Sequence, residues 1–202
     1  NLSGAGKITY KPYEGITLDN VNAKASGKIG DMDISKIKTK GSIAFDLQGN
    51  IKVGEASNIA ISSNLGDLGI KGDLKIGSQN GVFNFSNDNA KPIVINLTPK
   101  ITNQSVKVKD LSVEGKLSFD ATTGNFCFNE GANGLKINSG TIGDIEVKDL
   151  KVQGQINYNR NNEITISNPN APTIASGTIG GFTIDEMKAN NPVKIDANKQ
   201  TI

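Results

Sequence analysis

The chain contains no histidine, no tryptophan and a single cysteine, Cys127. Without histidine, no Ser-His or Cys-His nucleophile pair can form, and the usual histidine- and cysteine-rich zinc sites are excluded. One cysteine makes no internal disulfide, so the cysteine count gives no support to secretion. Cys127 lies in the phrase NFCFN, where its neighbours Phe126 and Phe128 put it on the other face of a strand. It reads as a small second-face residue, because nothing is present to activate the thiol.

Long apolar runs are also missing, so no transmembrane helix is expected. The opening NLSGAGK carries no basic-then-apolar leader, as if a signal peptide were removed or left out. The apolar share is 36%, low for a globular chain, yet those residues are too strongly patterned for disorder. Net charge is +2 and the lysines are scattered over alternating positions, which describes a solvated face and excludes a nucleic-acid patch. Convincing helical periodicity is absent as well; EMKANN comes nearest and falls inside a strand-like repeat.

What is present is a repeat. One element alternates apolar and polar, slips by one residue, and resumes in the opposite phase. It occurs as Ile145, Val147, Leu150, Val152 and as Val106, Val108, Leu111, Val113. Further copies are read at Met32, Ile34, Ile37, Thr39; at Ile16, Leu18, Val21, Ala23; and at Phe182, Ile184, Met187, Ala189. LGDLGIKGDLKIG is a looser copy with one more residue between Ile70 and Leu74. Two polar residues between two alternations move the apolar set to the other parity. A β-bulge corrects this by inserting one unpaired residue, so the same side of a curved strand stays buried. Asp110 and Asp149 occupy the slip and suit a residue that caps local N–H groups. A metal site is disfavoured there, because no partner ligands lie at calcium-loop spacing.

A second element is a hairpin: apolar-x-apolar, a polar turn, then another alternation. The residues before the turn are Tyr10, Phe45, Ile76, Phe119, Tyr158 and Ile195, at spacings of 35, 31, 43, 39 and 37. Glycine or asparagine in the turn supplies the positive φ that a tight hairpin needs. Turns are therefore expected near 11–15, 46–50, 77–81, 120–125, 159–162 and 196–198. A third element, GKIGD, SNLGD, GTIGD or GTIGG, leads into four of the slips and suggests a bend where the chain changes sheet or direction.

A period of this length means a repeat architecture. The expected fold is all-β without significant helix: about six hairpin units with β-bulges, in a β-solenoid-like stack or an elongated sandwich or groove. Residues 1–202 form one elongated domain with copies near 6–40, 41–71, 72–114, 115–153, 154–190 and 191–202. Ile43, Phe45, Leu117, Phe119, Ile156 and Tyr158 are expected in the core.

Site chemistry is sparse. Asp31, Asp33, Glu55, Asp144, Glu146, Asp149 and Glu163 are read as solubilising groups, and neither enzymatic activity nor a cofactor is expected. The irregular segments NFSNDNAKP and ISNPNAPT place Asn84, Asn87, Asp88, Asn89, Asn168 and Asn170 in loops. Loops carry binding contacts, so these six are the candidates for a glycan or surface-receptor contact.

VKDLKVQGQINYN is similar to the degenerate repeats of AsmA- and TamB-type envelope proteins. That resemblance implies a long β-groove carrying lipid in the bacterial envelope, with a periplasmic location. GTIGGFTID is similar to short phrases of phage tail and tail-fibre proteins. A lipid groove wants uninterrupted large aliphatics, whereas Thr39, Ala23, Ala189 and several glycines suit close packing. The preferred expectation is accordingly a non-enzymatic extracellular or cell-surface protein, a subunit or segment of a fibre, pilus, surface layer or adhesin stalk. Both termini interrupt a repeat, which suggests either a piece of a longer array or a subunit that self-associates head to tail.

Overall fold

Alternation with period two demands strands, and strands are what a computed structural model of the chain contains. The structure describes residues 2–3, 7–19, 24–29, 32–47, 51–54, 58–64, 66–72, 74–80, 82–86, 92–100, 107–120, 123–130, 134–159, 161 and 163–196. Among these there is no helix.

The elements run β1 (Leu2–Ser3), β2 (Lys7–Lys11), β3 (Gly15–Asp19), β4 (Lys24–Ile29), β5 (Met32–Lys40) and β6 (Ile43–Phe45). Next come β7 (Ile51–Val53), β8 (Asn58–Ser63), β9 (Gly66–Lys71), β10 (Leu74–Gln79), β11 (Val82–Ser86) and β12 (Ile93–Pro99). They continue as β13 (Val108–Glu114), β14 (Lys116–Asp120), β15 (Asn125–Asn129), β16 (Leu135–Ile142) and β17 (Ile145–Gln153). The last are β18 (Gln155–Tyr158), β19 (Glu163–Ser167), β20 (Thr173–Ile179), β21 (Phe182–Ala189) and β22 (Val193–Asp196).

These strands form two 11-stranded antiparallel sheets. Sheet A is ordered β1-β4-β5-β8-β9-β12-β13-β16-β17-β20-β21, and sheet B β2-β3-β6-β7-β10-β11-β14-β15-β18-β19-β22. The chain makes a hairpin in one sheet, crosses, makes a hairpin in the other, and crosses back. Each sheet has one apolar face, and the two faces bury each other in a single cluster that runs from Leu18 to Ile195. At about 4.8 Å per strand, eleven strands extend for roughly 50 Å, so the sandwich is elongated along its stacking direction.

The sheet-B hairpins turn where the polar turns predict, at 12–14, 46–50, 80–81, 121–124 and 159–162. The sixth turn, 196–198, lies largely outside the described residues. Ile43, Leu117, Phe119, Ile156 and Tyr158 are buried, and Phe45 is partly buried against them. Tyr10 departs from its equivalents: it is 66% exposed, beside the exposed Ile8 and Ile16. It sits on β2, the last strand of sheet B, where fewer neighbours are stacked over it.

The slip is a bulge. In β17 Ile145, Val147, Leu150 and Val152 are all buried, and Asp149 between them has φ +50. Against β20 the register passes from Lys148↔Thr178 to Lys151↔Ser176, so Asp149 and Leu150 together oppose Gly177. Asp110 in β13, φ +48, repeats the arrangement opposite Gly140. The aspartates serve here by accepting left-handed backbone. At Asp110 it is the residue's own N–H that donates, to Asn96 Oδ1 at 2.9 Å, which corrects the capping role.

Two of the slip readings are corrected. Ile16 and Leu18 lie in β3 of sheet B, and the pairing of β3 with β2 is regular; Val21 and Ala23 lie outside the described residues. Ile70 lies one residue before the end of β9 in sheet A while Leu74 begins β10 in sheet B, so the looser copy is a sheet crossing and β9 carries no bulge. The third element is the turn of the sheet-A hairpins, as at 143–144 between β16 and β17. Its first glycine (Gly140, Gly177) faces the bulge of the preceding hairpin.

Candidate functional site

The crossings between the sheets help to build a cleft on the surface. Between β17 and β18 the chain changes sheet through Gly154 alone, at φ +131, where a Cβ would lie 2.3 Å from the Ser167 carbonyl oxygen. The longer return connections brace this corner. Glu130 accepts a short hydrogen bond from the Gly154 N–H, and Asn168 Nδ2 donates to the Gln153 carbonyl at 3.5 Å. Asn168 Oδ1 in turn accepts from the Asn170 N–H at 3.0 Å, an Asx turn that shapes the loop after β19.

Beside this corner is a cleft of about 700 Å³ over the ends of β13, β16, β17 and β20. The register sets Glu114, Lys136, Lys151 and Ser176 side by side across those four strands. Lys136 and Glu114 are 3.7 Å apart, and Asn138 Nδ2 donates to Glu114 Oε1 at 3.3 Å. Gln153 and the half-buried Ile174, paired across β17 and β20, lie at the end nearest the crossing. Both signs of charge, amide donors and acceptors, and one aliphatic surface therefore meet in one concave place.

A smaller depression, about 170 Å³, lies on sheet B at Cys127. Phe126 and Phe128 point into the core while the thiol is only half-buried, as the alternation predicts. Burial pushes the thiol up from its ordinary value, opposed by hydrogen bonds from Asn129 and Ser118. A protonated thiol at neutral pH is a poor nucleophile. Tyr158, next to it, is pushed up to about 12 by burial and by the Asp144 charge.

The loop candidates separate. Asn168, half-buried, belongs to the wall of the large cleft, whereas the exposed Asn170 does not line it and only donates its backbone N–H to Asn168. Asn84 is not in a loop: it lies in β11 of sheet B, its side chain exposed, opposite Gly77 and Ser118. Asn87, Asp88 and Asn89 lie outside the described residues. Of the acidic residues, Asp33 pairs with Lys28 at 3.6 Å and Glu163 accepts from Asn159 Nδ2 at 2.6 Å. Among the described residues, no three carboxylate or thiol side chains come together in a way that could hold a metal ion. Sequence reasoning missed Lys136, Lys151 and Gln153. Alternation marks them as outward-facing, but only the register makes them neighbours.

No protein-family model matches the chain, and neither a curated protein nor a solved structure shows significant similarity to it.

Proposed function

We propose that the chain is a non-enzymatic structural segment, a rigid β-repeat spacer of the kind that forms the stalk of an extracellular or cell-surface fibre or adhesin. The observation that supports this is the single uninterrupted core from Leu18 to Ile195, built by identical alternation of hairpins between two sheets. Such a stack adds length unit by unit and resists bending, because each unit is hydrogen-bonded to its neighbours in both sheets. Lipid carriage is the weaker reading, since the apolar faces of the sheets are spent on each other: Phe119, Phe126 and Phe128 are 1%, 1% and 0% exposed.

Self-association would use the sheet edges, where Ile8, Tyr10 and Ile16 are exposed on β2 and β3. The repeat suggests head-to-tail addition, but strand direction favours a different contact. Among the described residues each sheet has eleven antiparallel strands, so its two outermost described strands run the same way. A copy added head to tail on those strands would therefore meet the edge in parallel, whereas one related by a two-fold axis would meet it antiparallel, as in every pairing among the described residues.

Small-angle scattering and sedimentation of the 202-residue chain test both ideas. An elongated particle that is monomeric or stops at a dimer is expected. A compact envelope would overturn the spacer reading, and open-ended polymers would overturn the two-fold contact. Phospholipid recovered by mass spectrometry from purified protein would reverse the order of the two functions.

A further inference from the structure

We infer that the cleft over β13, β16, β17 and β20 binds a neutral oligosaccharide. The inference is separate from the spacer reading, because a stalk segment with an inert surface would remain a stalk segment.

Charge balance is the first argument. The cleft is lined by two carboxylates, Glu114 and Glu130, and two ammonium groups, Lys136 and Lys151. Their sum favours neither an anion nor a cation. It suits a ligand whose groups each donate and accept, and vicinal hydroxyls do both.

The second argument is the unspent bonding capacity. Glu114 is occupied by Lys136 and Asn138, and Glu130 by the Gly154 N–H. The side chains of Lys151, Gln153 and Ser176 make no hydrogen bond to another described residue. Lys151 also stands directly opposite Lys136, a like-charge cross-strand pair that costs stability. Glu114 offsets that cost only on the Lys136 side. A hydroxyl oxygen set between the two lysines would accept from both.

Shape supplies the third. Concave sites for small ligands enclose about 300–1,000 Å³, and about 700 Å³ leaves room for several sugar rings. The half-buried Ile174 offers an apolar surface to the C–H face of a ring. Hydrogen bonds at Gly154 and at Asn168 hold the corner beside the crossing, which reduces the ordering needed there on binding.

The test is a titration of the intact 202-residue chain with neutral tri- and tetrasaccharides of the glucan, mannan, galactan and N-acetylhexosamine series. Uronate-bearing and sulfated oligosaccharides serve as comparison, with backbone amide shifts as the readout. At least one neutral series should bind with shifts centred on Lys151, Gln153 and Ser176. The double variant Lys151→Ala/Gln153→Ala should weaken it at least ~10-fold, since each lost hydrogen bond to a charged group is worth about 1.5 kcal/mol or more. Lys75→Ala, on sheet B, should leave it unchanged, and neither variant should melt below the parent. Absence of binding by every neutral series at millimolar concentration would overturn the proposal. So would binding confined to the charged sugars, or affinity unaltered in the double variant.

Discussion

Gly177 of β20 lies directly against the bulge at Asp149 of β17. A Cβ on Gly177, at φ +129, would come 2.5 Å from both the Asp149 carbonyl oxygen and Leu150 Cα. The obstruction is backbone on both counts, so no side chain can swing away to relieve it. Gly177→Ala should cost about 3 kcal/mol, from strain at positive φ and the enforced shift of β17. Urea denaturation measures it. Gly181→Ala, also at positive φ but facing open space, should cost only about 1 kcal/mol. Equal losses at the two sites would show that contact with the bulge is not what selects glycine.

Asp149 should behave as a backbone device. Asp149→Gly and Asp149→Asn should each change stability by less than ~0.5 kcal/mol, whereas Asp149→Val should cost about 2 kcal/mol, because a β-branched residue does not accept φ +50. A loss in the asparagine variant as large as that in the valine variant would assign the role to the carboxylate instead.

Thr39 is buried in β5 at 5% exposure, and its Oγ1 has no hydrogen-bond partner. A buried hydroxyl without a partner loses its water and gains nothing. Thr39→Val keeps the shape and should stabilise the chain by about 1 kcal/mol in thermal or urea unfolding. Destabilisation would mean that the hydroxyl is satisfied in solution.

Phe119 stacks on Phe126 with ring centroids 4.6 Å apart, and both are 1% exposed. Phe119→Ala should cost roughly 3–5 kcal/mol. A loss below ~1 kcal/mol would place the ring on an open face and favour the lipid groove.

Tyr158 makes stability depend on pH at the alkaline end. Its folded pKa of about 12 lies above the unfolded value near 10. The folded state therefore holds a proton that the unfolded state has lost. Stability is unaffected below about pH 10 and falls as pH rises from about 10 to about 12, by up to 2–3 kcal/mol. Tyr158→Phe should remove that part of the decline. Parallel curves for parent and variant over this range would show that the phenol ionises while folded.

The hairpins and bulges were legible locally because both are decided within a few residues. A polar turn between two alternations joins neighbouring strands, as at Asp120–Asn125. A parity slip such as Lys148-Asp149 has one economical solution if Val147 and Leu150 are both to be buried. Tyr10 and Tyr158 show where this stops. They occupy the same place in the same pattern, yet one is 66% exposed and the other 1%. Burial depends on how many strands are stacked around the position.

Alternation along a strand says which side chains share a face, because the pleat has period two. That rule carried the all-β class, the inward-facing row in most strands and the turns of sheet B. It is silent on which strands are neighbours and in what register, since those are set by hydrogen bonds between segments distant in sequence. Only the tertiary structure therefore divided the hairpins between two sheets, turned the segment between Ile70 and Leu74 into a crossing, and brought Glu114, Lys136, Lys151 and Ser176 into one row.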